Sequence, residues 1–230
     1  LCRSGPIKGG FKLANAKASP EYLANFEAGG DFTLAEKMKA SLSAWYSRGI
    51  DFLYYVNTGD SIDMGYGPRP ILVRTNIPMV KITGVEAELN WPVSPAILLG
   101  ASYSYSYSVI TDYRPLNTDD PIDLTGNHLT DVPSSTVSLT ARWKNRFVNT
   151  GLLARYQGAM WVNDQNIFDE VTGSDRYPSY ITIDLRLSRL FWEKLSVDLG
   201  VQNILDTRFY DRKGAVCPGR FITLELGYRF

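Results

Sequence analysis

The stretch Leu195–Phe230 limits the fold more than any other part of the chain. From Arg220 onward, Ile222, Leu224, Leu226, Tyr228 and Phe230 share one parity, while Thr223, Glu225, Gly227 and Arg229 share the other. A side-chain period of two is what a pleated strand imposes. The segment before it repeats the division, with Leu195, Val197, Leu199 and Val201 alternating with Ser196, Asp198, Gly200 and Gln202. Each strand therefore has one apolar and one polar face. An aromatic residue at the end of such a strand suits an interface better than the middle of a soluble core.

Upstream, the same period recurs in hairpins whose registers can be checked, because residues opposed across an antiparallel pair must lie on one side of the sheet. Tyr22, Ala24, Phe26 and Ala28 match Met38, Ala40, Leu42 and Ala44 across a turn at 34–37. Pairing about Pro95 sets Trp91 opposite Leu99, Leu89 opposite Ala101 and Val85 opposite Tyr105. Val137, Leu139, Ala141 and Trp143 meet Leu152, Ala154 and Tyr156 across Asn145-Arg146, where the apolar parity changes as a two-residue turn requires. Ile181–Leu187 pairs with Leu195–Val201 around Trp192–Lys194. The total is about nine strands, and the segment before Tyr22, which has no period, reads as loop.

Connections alternate too. The turns at Leu34, Pro95, Asn145 and Glu193 are short, whereas 57–79, 113–130, 163–176 and 211–219 are long. Trp91, Trp143, Phe147, Phe191, Trp192, Tyr228 and Phe230 all adjoin the short turns, as an aromatic belt at one membrane interface would. No apolar run reaches about 18 residues, the length a spanning helix needs. A barrel that offers only every second residue to lipid gives this weaker average signal. These features together predict an all-β transmembrane antiparallel barrel with short periplasmic turns and long extracellular loops. The odd strand count, and a chain that opens on Leu1 with neither an initiator Met nor a leader, predict a fragment.

Several function classes fall away. The charge balance of 24 basic against 24 acidic residues leaves no polybasic footprint for nucleic acid. Two cysteines cannot make a four-ligand zinc site. Asp119, Asp120 and Asp123 lack the spacing of a calcium loop. One loop histidine without a nucleophile motif such as G-x-S-x-G offers no catalytic constellation, so no enzyme, cofactor or metal is expected. Glu86 and Glu88, with Arg142, Arg155, Asp184, Arg186 and Asp198, fall on the polar face and read as charges that pair within a wet lumen.

Val201-Gln202-Asn203-Ile204-Leu205-Asp206-Thr207-Arg208-Phe209-Tyr210-Asp211, then Pro218-Gly219-Arg220 and a strand ending Tyr228-Arg229-Phe230, resemble the carboxyl terminus of TonB-dependent outer-membrane receptors. Thr83–Leu89 and Asp131-Val132-Pro133 resemble further stretches of that family. The resemblance implies a 22-strand barrel blocked by an amino-terminal plug, of which 22–230 would be the carboxyl-terminal wall and 1–21 an extracellular loop segment, the plug being absent. It implies an active importer in the bacterial outer membrane, energised by a TonB-type complex, with Phe230 as the terminal aromatic used by the barrel-assembly machinery. The nutrient stays open among siderophore, haem, cobalamin, glycan and peptide. A passive pore or surface adhesin on a smaller barrel is the other functional class.

For ligand contact the loops offer Tyr66, Arg69, Tyr113, Arg114, His128, Trp161 and Asn163, since amphipathic aromatics, amides and Arg forks anchor binding energy. His128, the only histidine, reads first as a solvated loop residue and next as a ligand contact. Strand counting places Cys2 and Cys217 at the long-loop end. A disulfide between them, pairing with other cysteines and free thiols all remain open.

Overall fold

The computed structural model describes residues 4–7, 10–35, 37–65, 67–115, 122–170, 172–212 and 215–230, and among these every regular element is a strand. The strands are β1 Gly5–Ile7, β2 Gly10–Leu13, β3 Tyr22–Ala35, β4 Met38–Asp63, β5 Pro68–Ser94, β6 Ile97–Asp112, β7 Ser135–Trp143, β8 Asn149–Gln157, β9 Met160–Trp161, β10 Arg176–Tyr177, β11 Tyr180–Phe191, β12 Leu195–Gln202, β13 Tyr210–Arg212, β14 Ala215–Val216 and β15 Phe221–Tyr228. Nine of them, β3 to β8 with β11, β12 and β15, form one antiparallel wall in which each pairs with the next.

The registers are those the side-chain pattern demands. Trp91 faces Leu99, Leu89 faces Ala101 and Val85 faces Tyr105. One apolar row then runs from Ala101 through Leu139 and Ala154 to Ile183. The adjacent polar row runs from Ser102 through Ser138 and Arg155 to Thr182. A one-residue slip anywhere would exchange the two rows, so the pattern of faces locks the pairing. A single groove is lined by Thr140, Arg142, Gly151, Asp184, Asp198 and Glu225, from five neighbouring strands, which requires the wall to curl toward its polar face. Charges on that concave face find partners there. Arg155 pairs with Asp184, and Arg186 reaches Asp198 at 2.8 Å. Asn90 donates to Glu88 at 2.7 Å. The convex face keeps Leu139, Leu152, Leu224 and Leu226 exposed.

Trp143 pairs with Ile97 and Phe191 with Leu195, which in turn faces Tyr228, so the aromatic belt occupies the short-turn end as expected. The resembling motifs have local physical reasons. Asn203, at φ 49°, tolerates a left-handed backbone while its amide grips both the N–H and the C=O of Thr207, and its own N–H donates to Asp184 at 2.8 Å. Asp206 accepts the Arg220 N–H at 2.8 Å, and a Cβ on Gly219 would collide with that carboxylate. Gly84 makes room for the Trp45 ring, which faces it from β4.

Two expectations are corrected. The segment read as unstructured before Tyr22 contains the β1–β2 hairpin, and β2 runs parallel to β5 at Ile71–Val73, beyond the stretch of that edge taken by β6. Its few residues carry no alternation, so only the free edge of β5 reveals it. The span 57–79 is not a loop but the continuation of β4 and β5, which pair from Asn57 and Leu72 up to Asp63 and Pro68.

The signal was hidden because the pleat inverts. Ile77 and Val80, three residues apart, are both fully buried in one cluster, which an uninterrupted period of two forbids. The break lies at Asp51, φ 52°, opposite Pro78. Side chains patch the interrupted ladder there: Leu53 N–H donates to Glu21 at 2.9 Å, and Asn76 donates to the Asp51 carbonyl at 2.6 Å.

Two outcomes follow for this protein. Leu139→Arg, on the convex apolar row, should cost about 2–4 kcal/mol and Thr140→Arg, on the concave face, much less; equal losses in a refolding titration would refute the assignment of faces. Asp51→Val should cost about 1–2 kcal/mol, because a β-branched residue resists the left-handed region, and Asp51→Gly little or nothing. The same titration checks both.

Candidate functional site

β6 outlasts its neighbour β7: the last shared rung is Tyr105 with Ser135, yet β6 continues to Asp112. The edge left over carries backbone groups that need partners, and the returning chain supplies them. Ser106 N–H donates to the Ser134 carbonyl at 3.0 Å, Ile110 N–H to Asn127 at 2.9 Å, and Gly126 N–H to Ile110 at 2.8 Å. Between these rungs the Ser108 carbonyl is met by a side chain, His128, whose Nδ1 lies 2.8 Å away. A carbonyl can only accept, so Nδ1 is the donor in this contact. The long connection is thus stitched onto the wall as an irregular extra strand.

Its underside is apolar. Leu124 and Leu129 bury themselves against Val56, Ile77, Val80, Ile110 and Tyr113, with Phe52 and Tyr54 alongside. The Tyr54 hydroxyl lies 2.7 Å from the Thr130 hydroxyl and accepts the Thr130 N–H at 3.0 Å. Tyr113 is 8% exposed, and burial, aided by the carboxylates of Asp164 and Asp123, pushes its phenol up to about 12. Asp123 accepts the Thr125 N–H at 2.8 Å, which holds its carboxyl below the usual range.

The upper side joins this connection to the next. His128 meets the edge of Tyr107 at 5.0 Å and stacks on Trp161 at 6.0 Å with 11° between planes. Trp161 pairs with Arg176 across β9 and β10, and that guanidinium lies 3.9 Å from the indole centroid. Asn166 clamps the pile, accepting the His128 N–H at 2.5 Å and donating to the His128 carbonyl at 3.1 Å. Asn127 adds a bond to the Asp164 carbonyl at 3.0 Å, and Asn57 N–H donates to the Asp164 carboxylate at 3.3 Å. Three connections are therefore braced against one another at the long-loop end.

Of the expected contact residues, His128 and Trp161 come together here. Arg69 stands exposed opposite Ile62 near the tip of the β4–β5 hairpin, and Arg114 is exposed beside Tyr113. Tyr113 itself belongs to the apolar cluster. Asn163 shapes its own turn, with its amide on the carbonyl and the N–H of Ile167 at 2.8 and 3.2 Å. Tyr66, Asp119 and Asp120 lie outside the described residues, as does Cys2; Cys217 is half-buried on the concave side. His128 is not a solvated loop residue but a half-buried bracket between two aromatics, a placement set by the unpaired edge of β6. Tyr107, Asn166 and Arg176 went unnoticed in the sequence. Nothing marks Arg176 among the other arginines, because its stack depends on the β9–β10 pairing.

A family model described as "TonB dependent receptor-like, beta-barrel" matches residues 7–204. No curated protein sequence matches the chain. Among solved structures, the siderophore receptor PiuA from Acinetobacter baumannii is 17% identical, with a TM-score of 0.72 over 94% of this chain and 30% of its own. The ferric yersiniabactin uptake receptor FyuA from Yersinia pestis is 18% identical, with a TM-score of 0.67 over 91% and 30%. The FrpB iron transporter from Neisseria meningitidis is 15% identical, with a TM-score of 0.66 over 96% and 33%. The chain spans about a third of the length of these neighbours. At such identities the likeness is one of fold: the wall is part of a transmembrane antiparallel β-barrel.

The raised phenol of Tyr113 makes a pH prediction. A group whose folded pKa lies above its unfolded value contributes stability below about pH 10, and that contribution fades as pH rises toward 12. Unfolding titrations from pH 9 to 12 should show the parent protein losing stability relative to Tyr113→Phe; parallel profiles would place the tyrosine in water.

Proposed function

Because the chain belongs to the TonB-dependent receptor-like β-barrel family, we propose that it is wall and loops of an outer-membrane transport receptor. In this reading the short turns face the periplasm and the long connections face outward. A scarce nutrient is captured at the outer mouth, and its import past a plug domain is driven by a TonB-type complex. Outer-membrane lipid surrounds the convex face, and the barrel-assembly machinery inserts the chain, with Phe230 in the inner aromatic belt.

The observation that carries the reading is the braced cluster at the long-loop end, on a wall whose concave face is polar and charged. Loops that only shield a mouth have no need of a guanidinium held over an indole, which is itself stacked on an imidazole. Such an array offers fork donors and ring faces already in place, so little ordering entropy is lost when a ligand arrives. Arg176 and Trp161 are the leading contacts, and His128 supports them from behind. Arg69 and Arg114, both exposed, extend the candidate set toward the mouth, and Tyr66 remains a candidate on its sequence alone. The named cargoes of the neighbours, siderophores and iron, make an anionic iron chelate the first ligand class to try. Haem, cobalamin, glycans and peptides follow.

Cells expressing the complete protein test this with a panel of radio-iron siderophore chelates, with and without a protonophore. The expected result is uptake of at least one chelate, abolished when the proton gradient collapses. The Trp161→Ala/Arg176→Ala variant should bind that chelate about tenfold more weakly. Gradient-independent permeation of unrelated small solutes would instead establish a passive pore.

A further inference from the structure

The two ends of the wall differ in charge as well as in loop length. Among the described residues, the short turns and the strand residues next to them hold Lys37, Lys144, Arg146, Arg189, Lys194 and Arg229, against Glu193. Most of these cations flank aromatic residues of the belt. Arg189 is the informative one. By parity it belongs to the convex apolar row, between Leu187 and Phe191 and opposite Val197. An arginine in that row is costly at mid-bilayer and tolerable only near an interface. Two residues separate it from the end of β11, about 7 Å along the strand, which sets it at head-group depth.

Its guanidinium lies 4.6 Å from the Phe191 ring centroid, and that of Arg146 lies 4.5 Å from the Phe147 ring centroid. The β8–β11 ladder ends at Ser188 with Asn149, so the turn carrying Arg146 sits directly beside Arg189 and Phe191. Both turns are fixed. Asn145 accepts the N–H groups of Phe147 and Val148 at 2.8 and 3.1 Å. Across the other turn Lys194 N–H donates to Phe191 at 3.0 Å, with Trp192 and Glu193 in the left-handed region. Among the described residues neither arginine meets a carboxylate; the pairs Arg155–Asp184 and Arg186–Asp198 lie on the opposite face. Two planar fork donors, Arg189 on the convex side and Arg146 exposed on the neighbouring turn, therefore lack an anionic partner among the described residues, beside Trp192, which is 83% exposed.

We propose that this corner is a binding site for the head group of an anionic glycerophospholipid in the adjacent bilayer leaflet, with Arg146 and Arg189 gripping the phosphate and Phe147, Phe191 and Trp192 seated among the first acyl carbons. Charge complementarity selects the occupant. A neutral or zwitterionic lipid leaves the excess of cations uncompensated, whereas an anionic phosphate accepts from both guanidinium forks at once. Glu193, at the tip of the same turn, disfavours anions further from the membrane and so confines the head group to the side of the wall.

The inference rests on the membrane-barrel reading, and the test separates the two. The complete receptor, purified in detergent, is titrated with short-chain phosphatidylglycerol, phosphatidylcholine of equal chain length, or inorganic phosphate, and bound adducts are counted by native mass spectrometry. The expected result is preference for phosphatidylglycerol over phosphatidylcholine, with about a 30-fold loss of that preference in Arg146→Gln/Arg189→Gln, since each interfacial arginine contributes about fivefold. Arg146→Lys/Arg189→Lys, which keeps the charge, should retain most of it. Circular dichroism and heat-dependent gel mobility report whether each variant is still a folded barrel, and failure of the parent protein there would sink the barrel reading itself. Equal binding of the two lipids, or a preference unchanged in the glutamine variant, would overturn the proposal. Displacement of the lipid by inorganic phosphate at similar concentration would overturn it too, by showing a site for free anions.

Discussion

Inside a bilayer no water is available to the backbone, so each N–H and C=O must be closed by a neighbouring strand, and the rest of this structure depends on that requirement. It forces extended pairs with continuous registers, and continuous registers force alternate side chains onto opposite faces. Here the nine-strand wall keeps one row of Leu, Ala, Ile and Val running from strand to strand. The other row can therefore be polar at little cost. Arg155 with Asp184 and Arg186 with Asp198 occupy the concave side, where the same ions on the convex side would be expensive.

Beyond the apolar band the requirement relaxes, and the geometry changes with it. At Asp51 and Pro78 the pleat inverts, and the side chains that follow turn inward to build an apolar cluster of their own with Leu124 and Leu129. The unmatched upper edge of β6 still needs partners, and the connection that supplies them is ordered as a result. His128 completes that ladder at Ser108, and Trp161 and Arg176 are stacked above it. The candidate binding array is thus a by-product of satisfying a strand edge: the same bonds that hold the loop hold the groups a ligand would meet.

The two ends of the wall answer different demands. At the long-loop end, polar amides and carboxylates tie connections to one another through Asn166, Asn127 and Asp164. At the short-turn end the connections are too brief for that, and aromatic rings with cations lying over them dominate. Aromatic and guanidinium groups are favoured at an interface, where one side of the residue is apolar and the other wet.

The sequence by itself determined the strand period, the nine-strand wall, its registers, its faces and, from β5 onward, the alternation of short and long connections. These are consequences of local chemistry: a period of two and the parity change at Asn145-Arg146 are visible wherever the pleat is regular. It also carried the motifs whose reasons are short-range, such as Asn203 gripping Thr207 and Gly219 yielding to Asp206. Only the tertiary structure decided the rest. The extension of β4 and β5 past Asn57 was masked because one left-handed residue reverses the parity on which the reading relies. The β1–β2 hairpin has no period of its own and is ordered by a free edge far along the chain. The cluster of Tyr107, His128, Asn166, Trp161 and Arg176 joins residues from three separate segments through two ring contacts, one cation contact and one amide clamp. None of those contacts lies between sequence neighbours. Their positions follow from where β6 outruns β7, a difference in strand length that no local pattern encodes.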